Sequence, residues 1–290
     1  MLKRVKKQSL RIISITAAAI AAIWLILSVS TVLVEPVAHI APDYDKIDLV
    51  PVLMQKQFTE SDYETLFLQT GLGKPAIHEL KNGSTDFNQD ILLFQDRFFR
   101  NIRYVCEKNS LISREEYVVD ENGNYTYGTL LAPLHEGYIL ITKSSHTYGW
   151  RNGHAALVVD AAQGKTLESV VLGTNSCIQD IGKWTKYPNF MLLRVKGASM
   201  EVLKAVSQRA LESLVNIPYH FTVGIFSPKF KEDGPLTGTH CSHLVWAAFR
   251  SFGYDLDSDG GMIVTPKDIA NSPALEVVQV YGVNPREIWP

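Results

Sequence analysis

The chain has 290 residues, 46% of them hydrophobic and 20% charged, with a formal net charge of −2. That apolar content supports a packed core and excludes a disordered or fibrous polypeptide. With no Lys/Arg cluster beyond residue 11, nucleic-acid and polyanion binding are disfavoured.

Lys3, Arg4, Lys6, Lys7 and Arg11 make residues 1–11 a basic segment, read as cytoplasmic. The charge-free apolar run 12–34 exceeds both the roughly 20 residues of a bilayer span and the roughly 7–15 of a signal core. The expectation is an uncleaved transmembrane anchor, with the rest of the chain extracytoplasmic. Cleavage near Ser28-Val29-Ser30, which has small-x-small spacing, is the rival. Beyond residue 34 the chain carries 23 basic against 30 acidic side chains.

Residues 35–56 read as a stalk and 57–136 as a helical cap, with helices over 61–70, 75–81 and 88–101. The last carries Ile91, Leu92, Phe94 and Phe98 for packing. This region has no chemical motif: 69–75 lacks the spacing of a phosphate loop, and 121–128 is a turn-rich hairpin or surface loop. The cap is expected to form one wall of a cleft in the remaining domain, 137–290.

That domain opens with three strands, 138–142, 154–159 and 166–172. His154, Ala156 and Val158 share one face of the second. A hairpin with the third strand can bring Glu168 to the same side, although sequence does not fix the register. An amphipathic helix follows at 199–215. A second, 241–252, has Leu244, Val245, Ala248, Phe249 and Phe252 on one face and Gly253 as its stop. Cys241 sits in its first turn, where free N–H groups and the helix dipole favour a thiolate. A buried structural cysteine is the plainer alternative.

Cys241, His154 and Glu168 are the residue types of a cysteine hydrolase: nucleophile, general base and the group that orients the base. His240 and His243 flank the cysteine. One is expected to line the cleft and the other to face solvent, with His240 as an alternative base. No spacing supports a metal site, and no cofactor is implied. Residues 255–260 begin like a calcium loop, but Pro266 stands where the bidentate Glu belongs, so calcium is not expected. Of three cysteines, Cys106 and Cys177 either pair or both stay free.

A Gly-Tyr-Ile-Leu-Ile strand, then Gly-His-Ala-Ala-Leu-Val-Val, a Glu-bearing strand, Ile-Pro-Tyr and His-Cys-Ser-His-Leu-Val-Trp-Ala-Ala-Phe resemble the permuted papain-fold hydrolases of the YiiX-like group. These are related to NlpC-type cell-wall peptidases and lecithin–retinol acyltransferases. The resemblance covers roughly 137–275. The His-to-Glu separation is slightly longer than usual, and the extra histidines around Cys241 depart from the pattern. It implies an α+β fold: a circularly permuted papain-like (NlpC-type) core, its antiparallel sheet packed on the cysteine helix, with the N-terminal helical cap beside it. It also implies roles for Cys241, His154 and Glu168 in catalysis and for Tyr219 in lining the site. His240 and Trp150 are read with Tyr219 as substrate-binding residues. The expected activity is hydrolysis of an amide, in peptidoglycan stem peptides, through a Cys thioester. The alternatives are lipid or acyl-ester hydrolysis or acyl transfer by the same fold, and a non-catalytic binding module.

Overall fold

The structure is a computed structural model that describes residues 2–33, 37–110, 113–147, 150–230 and 234–289, without the side chains of 2–10, 28 and 30–33. Its first element is helix α1, Leu2–Leu33. Among the described residues, no helix is long and apolar enough to cross a membrane. This corrects the expected transmembrane anchor and, with it, the expected single-pass placement in a cell membrane with the domain extracytoplasmic. Lys3, Arg4, Lys6 and Lys7, Val34 and residues 35–36 of the expected stalk lie outside the described side chains.

The rest of that expected stalk is packed. Leu49 and Leu53, flanking and closing the short helix α2 (Val50–Leu53), are buried in the core. The Ile47 backbone is held there by Gln69 and Gln95, at 3.0 and 2.8 Å. Helices α3 (Glu60–Thr70), α4 (Lys74–Gly83) and α5 (Phe87–Phe98) follow. A Thr59–Asp62 capping box starts α3, and left-handed Gly71 ends it. Asp86 caps α5. Leu66, Ile77, Ile91 and Phe94 from these helices join one continuous core with the main sheet.

The remainder of the cap region is not helical. Strands β1 (Arg103–Lys108) and β2 (Ser113–Val119) pair antiparallel, and β4 (Ser145–Thr147) completes a three-stranded sheet beside β2. The other strands are β3 (Ile139–Thr142), β5 (His154–Asp160), β6 (Lys165–Glu168), β7 (Cys177–Asp180), β8 (Phe190–Val195) and β9 (Leu275–Tyr281). They form an antiparallel sheet in the order β7-β6-β5-β3-β8-β9. Helices α6 (Met200–Ser213) and α7 (Cys241–Arg250) both pack on β5, and α8 (Pro266–Ala270) contacts α7 and β3. The chain is thus α+β. Because β5 is internal, residues Ala155–Val158 are wholly buried. Burying Leu157 and Val158 contributes about 1.5–3 kcal/mol each, which fixes the strand that carries His154.

Candidate active site

Backbone geometry sets His154 at the mouth of this core. Gly153, just before it, has φ +73°, and a Cβ there would lie 2.5 Å from the Trp289 ring and 2.7 Å from the Thr142 carbonyl oxygen. Only glycine fits that turn. His154 then pairs with Thr142, and the β5–β6 register matches Leu157 with Leu167. One step along that ladder, Glu168 shares the face of Ala156 and His154. The two side chains meet, His154 Nε2 lying 2.6 Å from Glu168 Oε2.

Glu168 is fully buried. It also accepts from Thr166 Oγ1 at 2.6 Å, Lys183 Nζ at 2.5 Å and Trp184 Nε1 at 3.2 Å. Burial alone would raise its pKa; hydrogen bonding and attraction from His154, then Lys183, outweigh it and bring the carboxyl down to about 2. Trp184 stacks on the His154 ring at 5.8 Å and 17°. Burial works against a charge on His154, but hydrogen bonds to Cys241 and Glu168 raise it to about 9. Since Glu168 takes Nε2, Nδ1 is the nitrogen that serves Cys241.

Cys241 is the first residue of α7 and 8% exposed. Burial would push its thiol up. Hydrogen bonds and charge from His154 and His240 bring it well below its ordinary value. The first-turn amides add to this, having no carbonyl within the helix to bond. Ser242 Oγ donates to Val264 O at 2.9 Å, fastening the helix start to the loop that leads into α8.

Cys241, Tyr219 and His240 line a cleft of about 360 Å³, with Arg151, Phe221 and Trp289 among the other walls. Tyr219 is half-buried; burial, then the Cys241 charge, raise its hydroxyl pKa. Its segment is tied to the residues before α7 by a parallel bridge to Thr239. Trp150 is 52% exposed and does not line this cleft; its neighbour Arg151 does. Among the described residues the cap supplies none of the lining, contrary to expectation; its β2 reaches the cleft through Arg151. Its Glu116 grips Arg151 with both oxygens, at 2.6 and 2.8 Å.

His243 does not face solvent. It is wholly buried, with Nε2 2.7 Å from the Lys229 carbonyl and Nδ1 3.0 Å from Thr239 Oγ1. Burial pushes its pKa down to about 4, so it is a neutral structural residue. Asp257, Asp259 and Asp268 gather within 4.8 Å, yet each has structural work. Lys229 pairs with Asp257, Asp259 accepts from Gly261 N, and Asp268 caps α8. Cys106 and Cys177 are both free thiols, which corrects the option of a disulfide between them.

Lys183, Trp184 and Thr166 were not singled out from sequence, nor was the Glu116–Arg151 pair. A polar strand position two residues before Glu168 was the one local signal available, for Thr166.

No protein-family model and no curated protein matches the chain. Among solved structures, the crystal structure of metalloprotein YiiX from Escherichia coli O157:H7 is similar over 50% of this chain and 97% of that one, at 15% identity and a TM-score of 0.39. A likeness of that size carries no functional argument, and the site stands on its own geometry.

Proposed function

We propose that the protein is a cysteine hydrolase that cleaves an amide bond through a thioester at Cys241, on a circularly permuted papain-like core. The observation that carries the reading is the buried array in which Glu168 holds His154 from one side and Cys241 meets it from the other. The chain order His154, Glu168, Cys241, with the cysteine opening a helix packed on the histidine strand, supports the permuted core.

The proton rests on His154 and the charge on Cys241. The thiolate adds to the substrate carbonyl. The intermediate collapses to a thioester as the leaving amine takes the His154 proton. Water, deprotonated by His154, then adds to the thioester, and the thiolate departs as the acid product is released. Glu168 keeps the imidazole oriented and stabilises its charged form throughout. Within the amide class, peptidoglycan stem peptides are the substrate suggested by the sequence resemblance.

A second reading, acyl-ester or lipid hydrolysis, is favoured by the apolar rim. Phe221 lines the cleft and is 59% exposed; nearby Phe226 and Met262 are 84% and 67% exposed. Gly224 lets the two segments touch, since a Cβ there would lie 1.7 Å from the Met262 carbonyl oxygen.

The test is the pH dependence of iodoacetamide alkylation at Cys241 in the wild type and His154→Ala, followed by turnover of muropeptides against phospholipids. A thiol that titrates well below about 8.5, and moves up without His154, supports the catalyst. A thiol indifferent to His154 returns the protein to a binding module.

A further inference from the structure

We infer that the cleft beside Cys241 selects substrates carrying an anionic group, a carboxylate or a phosphate, next to the bond that is cleaved, and that Lys267 and Arg151 receive it. The inference rests on the cysteine-hydrolase reading and adds a substrate class to it.

Beyond residue 34, acidic side chains outnumber basic ones by 30 to 23, so a positive cleft is not an effect of overall charge. Yet Arg151 and Lys267 both stand in the lining and, among the described residues, no Asp or Glu stands there with them. The acids nearest in sequence to that lining are engaged within the fold. Asp268 accepts from the Thr265 backbone N–H and hydroxyl, both at 2.7 Å, and Asp257 pairs with Lys229.

The two cations come from different parts of the chain and meet at one corner. Arg151 lies in the turn that leads into β5, and Lys267 is an exposed residue of α8. Trp289 joins these segments. A Cβ on Gly153 would lie 2.5 Å from the Trp289 ring and 3.3 Å from Pro266 Cβ, so turn, ring and α8 close on the same point. The Trp289 carbonyl accepts from Asn271 Nδ2 at 3.0 Å, which fixes the segment. Behind the ring, Lys143 Nζ lies 5.7 Å from its centre, a third positive charge at this wall.

Glu116 balances the Arg151 charge while holding its guanidinium in place, so the Lys267 ammonium is the charge presented at the mouth. A cation in a cleft partly screened from water favours an anion over a neutral group of the same shape, and steers it inward at low salt. Because the corner is built on Gly153, adjacent to His154, an anion received there lies close to the reacting carbonyl. Phe221 and Ile263 add apolar surface to the same lining. A fitting substrate is therefore anionic in one part and apolar in another.

The experiment uses the full chain with Cys106→Ser and Cys177→Ser, so that Cys241 is the reacting thiol. Iodoacetate and iodoacetamide undergo the same displacement of iodide by its sulfur, and differ in charge at nearly constant shape. The iodoacetate-to-iodoacetamide rate ratio at Cys241 should exceed that of N-acetylcysteine amide and shrink as salt is added. The charged His154 contributes to that excess, so the variants of Lys267 are decisive. Lys267→Gln should lower the ratio about two- to fivefold, and Lys267→Arg should keep it. Lys204→Gln, the same loss of charge at an exposed position of α6, should leave it at the parent value.

A ratio undiminished in Lys267→Gln, or lowered equally in Lys204→Gln, overturns the inference while leaving the nucleophile intact. Succinate and inorganic phosphate are then added as competitors of iodoacetate. The stronger of them identifies the group as carboxylate or phosphate, and competition by neither also overturns the inference. A parent Cys241 that reacts with neither reagent overturns the hydrolase reading itself.

Discussion

His154 Nε2 and Glu168 Oε2 lie 2.6 Å apart with both residues almost wholly out of solvent, and the Trp184 indole covers the imidazole face. A carboxylate so buried is tolerable only because four donors converge on it. Glu168→Gln removes the charge but not the volume. We expect it to raise the thiol pKa of Cys241 and to slow acylation, by less than His154→Ala does. It should also destabilise the fold by about 3–5 kcal/mol, since Lys183 and the charged imidazole lose their counter-ion. Thermal melting and an alkylation-versus-pH curve read the two effects separately. An unchanged thiol titration would mean that Glu168 serves the fold alone.

The same pair predicts how stability depends on pH. Glu168 has its pKa lowered from 4.5 to about 2 in the fold. Its contribution is therefore complete above 4.5 and is lost as pH falls through about 2. His154 is raised from 6.5 to about 9, so its contribution is complete below 6.5 and is lost as pH rises through about 9. Because the Cys241 thiol is lowered well below its ordinary value by the same pairing, folded and unfolded chains hold equal protons on Cys241 and His154 between 6.5 and about 9, so the melting temperature should be highest there and fall on both sides. In His154→Ala the alkaline decline should flatten. A wild-type alkaline decline that survives this substitution unchanged would assign it to another group.

Much of this site was legible because its parts are local patterns. Alternation in 154–159 gave the face of His154, and the apolar stripe after Cys241 gave the helix. What remained hidden came from across the chain. Lys183 and Trp184 reach Glu168 from a 3₁₀ turn beyond β7, and no periodicity announces a turn residue's target. Glu116 meets Arg151 from another sheet. Strand β1, Arg-Tyr-Val-Cys-Glu-Lys, is exposed along most of its length and lacks the apolar alternation that marks a half-buried strand. The β1–β2 pair of the cap consequently has no signal in the sequence beyond the turn-rich 121–128 that follows it. One of His240 and His243 is expected to face solvent and neither does, because adjacent polar residues give no hint that a carbonyl, that of Lys229, waits inside for His243.

Gly153→Ala should damage the site without touching its chemistry. The φ of +73° disfavours any Cβ, and the added methyl would collide with Trp289 and the Thr142 carbonyl. A loss of about 1–3 kcal/mol is expected, together with slower alkylation of Cys241 as His154 shifts. Gly173→Ala is the comparison: also at positive φ, +91°, it has open space around the new methyl. If both variants melt alike and Cys241 reacts at the parent rate in Gly153→Ala, the close approach of Trp289 has no part in positioning His154.

The cap, though absent from the cleft lining, should control one of its walls through Arg151. The guanidinium is held by both oxygens of Glu116 and by the Lys143 carbonyl, with the two side chains 4% and 5% exposed. Glu116→Gln leaves a buried cation without its counter-charge and with one of its two acceptor oxygens replaced by an NH₂ group, at a cost of about 3–5 kcal/mol. For a domain of this size that is a fall in melting temperature on the order of 10 °C. Replacing the pair together, as Glu116→Leu with Arg151→Met, removes both charges and should recover most of that loss. The recovered protein then separates stability from function. If Arg151 serves substrate binding, the double variant melts near the wild type yet shows a raised KM with kcat little changed. A double variant with wild-type KM would make Arg151 a brace between the two sheets, with no part in what the cleft receives.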